Sequence, residues 1–375
     1  PRLVSADMTG GAFTTLNAFN IFFDKRFNNV FTEASGAFAG VGSTPFGFVG
    51  YNAFTLETSA ESNALNVLDN NTTASFSWMT SIGTLITLSD TAGNSADFAH
   101  YDPLLNVVYS TVKSYPFPSE GEMVRGYGAS GLDSDFFVAT TGIDNGVRVL
   151  EIDHTSKQIE QVAADPLTTV SGTHKYAGMR LDTSRTFSDN TVAQGSYMFL
   201  VKGPTTTTDW EISRITLNSL DVLKPSQINV VVDKTISRFT LDTEVPNARL
   251  VDLFVDEIDD TLIIFANGDG GTAYIMKYDP ISAVIISTKV FAPGDTLPTR
   301  SMTQHGFHQS NQTYAFVSPG QKVYTLNTAT LEFAELFTVT STTLPSFTST
   351  QQFYNGFENT LIVKASGAQD LVKIY

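Results

Sequence analysis

The sequence predicts an all-β fold, a seven-bladed β-propeller of four-stranded antiparallel blades, on three observations. The first is the stretch from Ala248 to Phe291, where four short apolar runs, 249–255, 261–266, 273–278 and 283–290, are separated by DEIDD, NGDGG and DPIS. These separators are rich in the turn formers Asp, Asn, Gly and Pro, so the four strands they join make an antiparallel meander. The second is recurrence. A strand-like run ending in an apolar or aromatic residue plus Asp or Asn closes at Asn52, Asp102, Asp153, Asn218, Asp279 and Asn327, at intervals of 48 to 65 residues. Self-similarity at such a period, with four strands per unit, is what propellers produce. The third is that no segment carries a long 3.6-residue apolar period, so helices have no amphipathic face to bury.

Each marker has the same physical role. Its side-chain oxygen accepts from backbone N–H groups one or two residues on, which closes the hairpin from the third strand into the fourth. The final run, DLVKIY, ends at Tyr375 and reads as a truncated seventh marker. The chain then divides into units of about 54 residues, a reasonable size for a four-stranded blade with some long loops.

In chain order, PRLVSAD at 1–7 is strand-like and is expected to complete the C-terminal blade, because sharing one blade between both ends removes a free sheet edge. The blades are expected at 11–60, 73–116, 125–165, 175–232, 248–291, 302–340 and 349–375 with 1–7, together one domain over 1–375. The first unit is crowded with Phe, whose β propensity favours strands. The third contains Asp144-Asn145-Gly146 between two alternating runs, a strong hairpin signal. The fourth is the longest, with TSRTFSDNTVAQG, GPTTTTD and SLDVLKPSQ between its strands. Loops on a rigid scaffold carry specificity, so these are the expected place for contact with other protein subunits; mobile surface decoration is the competing reading.

Charge narrows the partners. With 22 Lys and Arg against 38 Asp and Glu, the net charge of −16 disfavours nucleic acid and anionic membranes, which need a basic field. No run approaches the apolar length of a bilayer span, and no basic-then-apolar leader is visible. Zero cysteines exclude disulfides and thiolate chemistry without fixing a compartment.

The candidates for chemistry each have a plainer reading. Asp252, Asp256, Glu257, Asp259 and Asp260, followed by Asn267-Gly268-Asp269-Gly270-Gly271, have the composition of a calcium loop but not its ligand spacing, and both groups sit where hairpins must turn, so solvated turns are expected and calcium is the competing reading. His305 and His308 form the one close histidine pair, yet three residues apart on a strand they point to opposite faces. His100, His154 and His174 are scattered. Ser130, in Gly128-Ala129-Ser130-Gly131, lacks the spacing of a nucleophile elbow and reads as part of a tightly packed inner strand. Asn70-Asn71-Thr72-Thr73 holds two overlapping glycosylation sequons, for which a plain polar loop is the simpler account. No catalytic residue, cofactor or metal site is therefore expected.

The marks of several propeller families are missing: the Gly-His and Trp-Asp pairs of WD40 repeats, paired kelch glycines, the sialidase Asp-box and the periodic Trp of quinoproteins. Abundant Thr, Asn, Ser and Phe, few charges and no Cys make the chain resemble divergent propellers such as those in tail and nozzle proteins of tailed phages. The string FNNVFTEASGAF is similar to the opening of nozzle proteins, without their Arg-Pro-Gly ending. The resemblance implies a non-enzymatic structural or interaction module of a virion or other extracellular assembly, with homo-oligomerisation open to it. A propeller hydrolase or lactonase with a central metal, and a glycan-binding propeller, are the competing expectations.

Overall fold

The computed structural model describes residues 107–126, 134–161, 166–204, 210–219, 228–239, 249–268, 272–291, 312–318 and 322–338 continuously, and elsewhere the strands named below with Thr80, Ile82, Thr84 and Leu105. Among these residues every regular element is a strand. Strands β1 (Arg2–Ala6) and β2 (Ala18–Asn20) come first. Then β3 (Phe31–Thr32), β4 (Ala39–Ser43), β5 (Gly47–Tyr51) and β6 (Thr58–Ser62) form an antiparallel sheet in chain order. The same order holds for β7 (Ser75–Met79), β8 (Leu85–Thr91), β9 (Ser95–Asp102) and β10 (Val107–Pro116). It holds again for β11 (Pro118–Arg125), β12 (Ser134–Thr141), β13 (Val147–Asp153) and β14 (Ile159–Gln161). Two further meanders follow: β15 (His174–Thr186), β16 (Val192–Lys202), β17 (Trp210–Ser219) and β18 (Ile228–Phe239), then β19 (Arg249–Asp256), β20 (Thr261–Asn267), β21 (Ala273–Asp279) and β22 (Val284–Phe291).

The C-terminal part departs from four strands per unit. After the two-residue β23 (Phe307–His308), β24 (Thr313–Ser318), β25 (Lys322–Asn327) and β26 (Phe333–Thr338) form a three-stranded sheet. β23 pairs instead, in parallel, with β27 (Phe347–Asn355), which continues into β28 (Thr360–Ala365) and β29 (Leu371–Ile374). Residues 3–6 pair in parallel with β29, Leu3 opposite Leu371 and Ala6 opposite Ile374. β2, expected in the first unit, pairs with β1 and so joins this C-terminal sheet.

Four of the recurrent Asx endings are the same turn repeated, whereas Asn218, expected as another, lies within the ladder of β17 opposite Asn229 of β18. Asp153 Oδ1 accepts from Thr155 and Ser156 N–H at 2.7 and 2.8 Å, and Asp279 Oδ1 from Ile281 and Ser282 at 2.8 and 3.3 Å. Asn327 Oδ1 does so from Ala329 and Thr330 at 2.9 and 3.1 Å, and Asp102 Oδ1 from Leu105 at 3.0 Å. The donors are thus two and three residues on, one further than the expectation, because the acceptor must reach over the turn to face N–H groups that no ladder uses. Asn52 lies outside the described residues. At the predicted Asp144-Asn145-Gly146 hairpin, Asn145 takes φ 54°, a left-handed value that Asn tolerates, and Thr141 N–H donates to Gly146 O at 3.0 Å.

The chain divides into two compact units, Thr80–Ile82 with Tyr115–Leu297 in one and the remaining segments, Pro1–Met79, Gly83–Ser114 and Pro298–Tyr375, in the other. Within the first of these, the middle strands β12, β13, β20 and β21 are buried along nearly their whole length. This is why TLIIFA and SDFFVATT read as continuous runs rather than alternations: both faces of each strand pack. Two apolar clusters form there, one around Val138, Val149, Met198 and Ile215, the other around Phe199, Trp210, Ile264 and Tyr274. Each fully buried aliphatic or aromatic side chain contributes roughly 1.5–3 kcal/mol. The opening strands of successive sheets neighbour one another, β11 with β15 and β15 with β19.

Candidate functional site

Of the acidic group expected as a solvated turn, Asp256 to Asp260 form an ion-paired turn with Asp256 buried, whereas Asp252 lies buried within β19, its Oδ1 accepting from Leu253 N–H at 2.8 Å. Asp256 ends β19 and is fully buried, its Oδ1 accepting from Ile258 N–H at 3.1 Å. Lys277, on β21, lies inside the sheet with Nζ 2.5 Å from Asp259 Oδ2 and 3.5 Å from Asp256 Oδ2. Asp259 also accepts from the Thr261 hydroxyl at 2.6 Å, and Asp260 bonds Arg185 at 2.5 Å. Two cations thus offset three of the five carboxylates, Asp256, Asp259 and Asp260. Asp269, Gly270 and Gly271 lie outside the described residues. Among the described residues no three His, Asp or Glu side chains are grouped to hold a metal ion.

His100, His154 and His174 stand apart, each in its own arrangement. His100 Nε2 lies 2.7 Å from Thr84 Oγ1, and its ring meets Tyr109 edge-on. His154 Nε2 lies 2.9 Å from Asp135 Oδ2, the carboxylate being fully buried. His174 Nδ1 faces the Gly172 carbonyl at 3.0 Å, which can only accept, so Nδ1 carries the proton and Nε2 accepts from Thr140 Oγ1 at 2.9 Å. Tyr176 then donates to Thr140 at 2.5 Å, completing a buried chain that ties β12 to β15. Lys175 adds a second strut to β11 through Glu120 at 2.6 Å. His308 falls on β23. His305, Ser130 and Asn70 to Thr73 lie outside the described residues.

Buried charge is answered locally elsewhere too. Arg148, 8% exposed, forks onto Asp144 at 2.9 and 2.6 Å and donates to Thr141 Oγ1. The Arg148 guanidinium and the Thr141 hydroxyl hold the Asp144 carboxyl well below the usual carboxylate range. Glu151 is pushed up to about 7 by burial, against the opposing hydrogen bond of Ser134.

Of the long loops of the fourth unit, the first is engaged with its own chain. Ser188 N–H donates to Ile281 O at 2.8 Å and Phe187 is buried in the cluster shared with β19–β22. The segments 205–209 and 220–227 lie outside the described residues.

The feature that the sequence reading missed is on β22. Its burial alternates along the strand, leaving Val284, Ile286 and Val290 exposed by 50, 53 and 48% on one face, with Thr288 exposed between them. The signal was present as apolar residues at every second position of a unit's last strand. It was obscured because the apolar row Val284, Ile286 and Val290 is the side that a pattern rule assigns to the core, whereas the structure turns it outward and leaves Ile285, Ser287 and Lys289 half-buried.

No family model matches the chain, and no curated protein matches it. Solved structures do. The β-propeller domain of Cps50 (Swd1) from Myceliophteria thermophila is 11% identical over 93% of this chain and 96% of that one, with a TM-score of 0.56. Kuenenia stuttgartiensis hydrazine synthase is 11% identical over 95% and 97%, with a TM-score of 0.53. The WD40 domain of SCAP from fission yeast is 8% identical over 92% of this chain and 63% of that one, with a TM-score of 0.50. The fold is an all-β propeller, built of small, mostly antiparallel sheets. At these identities the likeness speaks to fold alone, since propellers host unrelated functions.

Proposed function

We propose that the chain is a non-enzymatic structural propeller whose outer strands dock neighbouring subunits of a larger assembly, such as a virion or another extracellular particle. The observation that carries the reading is the apolar row Val284, Ile286 and Val290 on β22, each about half exposed. Three large β-branched side chains in line on one strand face are a surface that water leaves unsatisfied and a partner chain would cover. The low charge content, 16%, and the absence of cysteine fit a particle component that relies on packing rather than covalent ties. In this reading the seven sheets are the blades of a single propeller, closed by β1 beside β29. The match over nearly the full length of the Cps50 propeller domain supports one ring.

Quantitative mass spectrometry of particles isolated from the source is expected to find the chain at fixed stoichiometry with other proteins, and Ile286→Asp is expected to abolish incorporation while the purified chain stays folded. Recovery of the wild type only as free chain would refute the assembly role. For closure, deleting residues 1–7 is expected to lower the melting temperature by many degrees; an unchanged melting curve would rule it out.

A further inference from the structure

β22 is the last strand of its sheet, and among the described residues no strand pairs with its outer edge. Edge strands are normally blunted by brevity, proline or charge, because an unpaired row of N–H and C=O groups invites another chain. β22 runs for eight residues, VIISTKVF, with no proline and one charge, Lys289. Its one irregularity faces inward: Tyr278 pairs with Ile285 and Lys277 with Ser287, so Ile286 is an extra residue.

We infer that β22 pairs antiparallel with β22 of a second copy of this chain, about a twofold axis at Ser287. The inference rests on the reading of β22 as a docking strand and names the occupant. An axis through a residue keeps even positions opposite even positions, so the exposed rows of both copies share one face. Val284 then meets Val290 of the other copy, and Ile286 meets Thr288. This is the register that pairs the whole stretch from Val284 to Val290. The row is β-branched at all four positions and has valine at both ends, so each residue meets a β-branched partner about the axis, the self-complementarity that an isologous contact requires.

Charge agrees. In this register Lys289 faces Ile285, so like charges never meet across the axis. The strand carries one positive charge and no carboxylate in a chain of net charge −16, which spares the contact direct carboxylate–carboxylate repulsion. Residual long-range repulsion opposes the contact, so salt strengthens it rather than weakening it.

Sedimentation velocity on the full chain at micromolar to hundred-micromolar loading tests this. The wild type is expected to dimerise, with its dissociation constant falling about tenfold between low and high salt as repulsion is screened. Ile286→Lys is expected to raise that constant by about 100-fold or more while leaving the melting temperature nearly unchanged. The double variant Ile286→Cys with Thr288→Cys, in a chain with no other cysteine, is expected to give a covalent dimer on mild oxidation, much faster than a Thr183→Cys control. A wild type that stays monomeric at every concentration and salt, or a cysteine pair that cross-links no faster than the control, overturns self-pairing. Recovery of a monomeric chain within a particle would leave the docking role standing, so the two failures are separable.

Discussion

Lys277 and Asp256 face each other at 3.5 Å inside one sheet, their side chains 4% and 0% exposed. Both charges have left water, so each depends on the other and on the nearby Asp259. Lys277→Met leaves a buried carboxylate without its cation and is expected to cost about 3–5 kcal/mol in urea unfolding. Adding Asp256→Asn removes the stranded charge and is expected to recover more than half of that loss. A double variant as unstable as the sum of its singles would show that the two residues act independently.

Gly178 marks how closely β15 approaches β11. A Cβ there would lie 2.6 Å from Val124 Cβ and 3.0 Å from the Met123 carbonyl oxygen. Replacing glycine by alanine in an open strand stabilises by reducing the freedom of the unfolded chain. Here the sign is expected to reverse, with Gly178→Ala costing about 2 kcal/mol and Gly178→Val more, as overpacking displaces the seam. An urea midpoint that rises in the alanine variant would contradict the close approach.

Much of this was legible in the sequence because it depends on local chemistry. The Asx endings at Asp102, Asp153, Asp279 and Asn327 marked turns, since a side-chain oxygen bonding two or three residues on needs no distant partner. The strands of β19–β22 were delimited by their Asp- and Gly-rich separators for the same reason. What the sequence concealed was which partner answers each charge. Asp260 is bonded by Arg185 from another sheet, and Asp189 by Arg214. No spacing rule connects residues 75 or 25 positions apart. The exposed face of β22 was hidden likewise, because Val284, Ile286 and Val290 form the more apolar side of the run, the side that alternation assigns to the core. The short β23 went to β27 in place of its own unit, since two residues of strand carry no register signal of their own.

Glu151 makes stability depend on pH in a stated direction. Burial raises its carboxyl from 4.5 to about 7, so the folded chain favours the neutral form. The stability associated with that preference is fully present below pH 4.5 and is lost as pH rises through 7. Above that window the fold must hold a buried carboxylate, at a cost of roughly 2–3 kcal/mol. Glu151→Gln is therefore expected to match the wild type near pH 4 and to exceed it by about 2 kcal/mol at pH 8. Equal stability at both values would remove Glu151 from the pH dependence.

The tip of the β15–β16 hairpin is held down by four different forces, and Phe187 is their centre. Its ring, 3% exposed, meets Tyr197 edge-on at 5.1 Å and carries the Arg214 guanidinium 3.9 Å above its face. Arg214 in turn binds Asp189 at 2.9 Å, whose carboxyl is held below its ordinary value by hydrogen bonds from Thr191 and by Arg214. On either side, Ser188 N–H reaches Ile281 O and Arg185 reaches Asp260. Phe187→Ala removes the ring that the cation covers and the cluster packs against, and is expected to cost about 3–5 kcal/mol. The loss is also expected to be local before it is global: tryptic cleavage after Arg185 and deuterium uptake over 185–192 should rise under conditions where the rest of the unit stays protected. Thr183→Ala, on the exposed part of β15, should leave both unchanged. A tip that exchanges rapidly in the wild type would mean that these contacts do not hold it, and would return the loop to the role of a free docking arm.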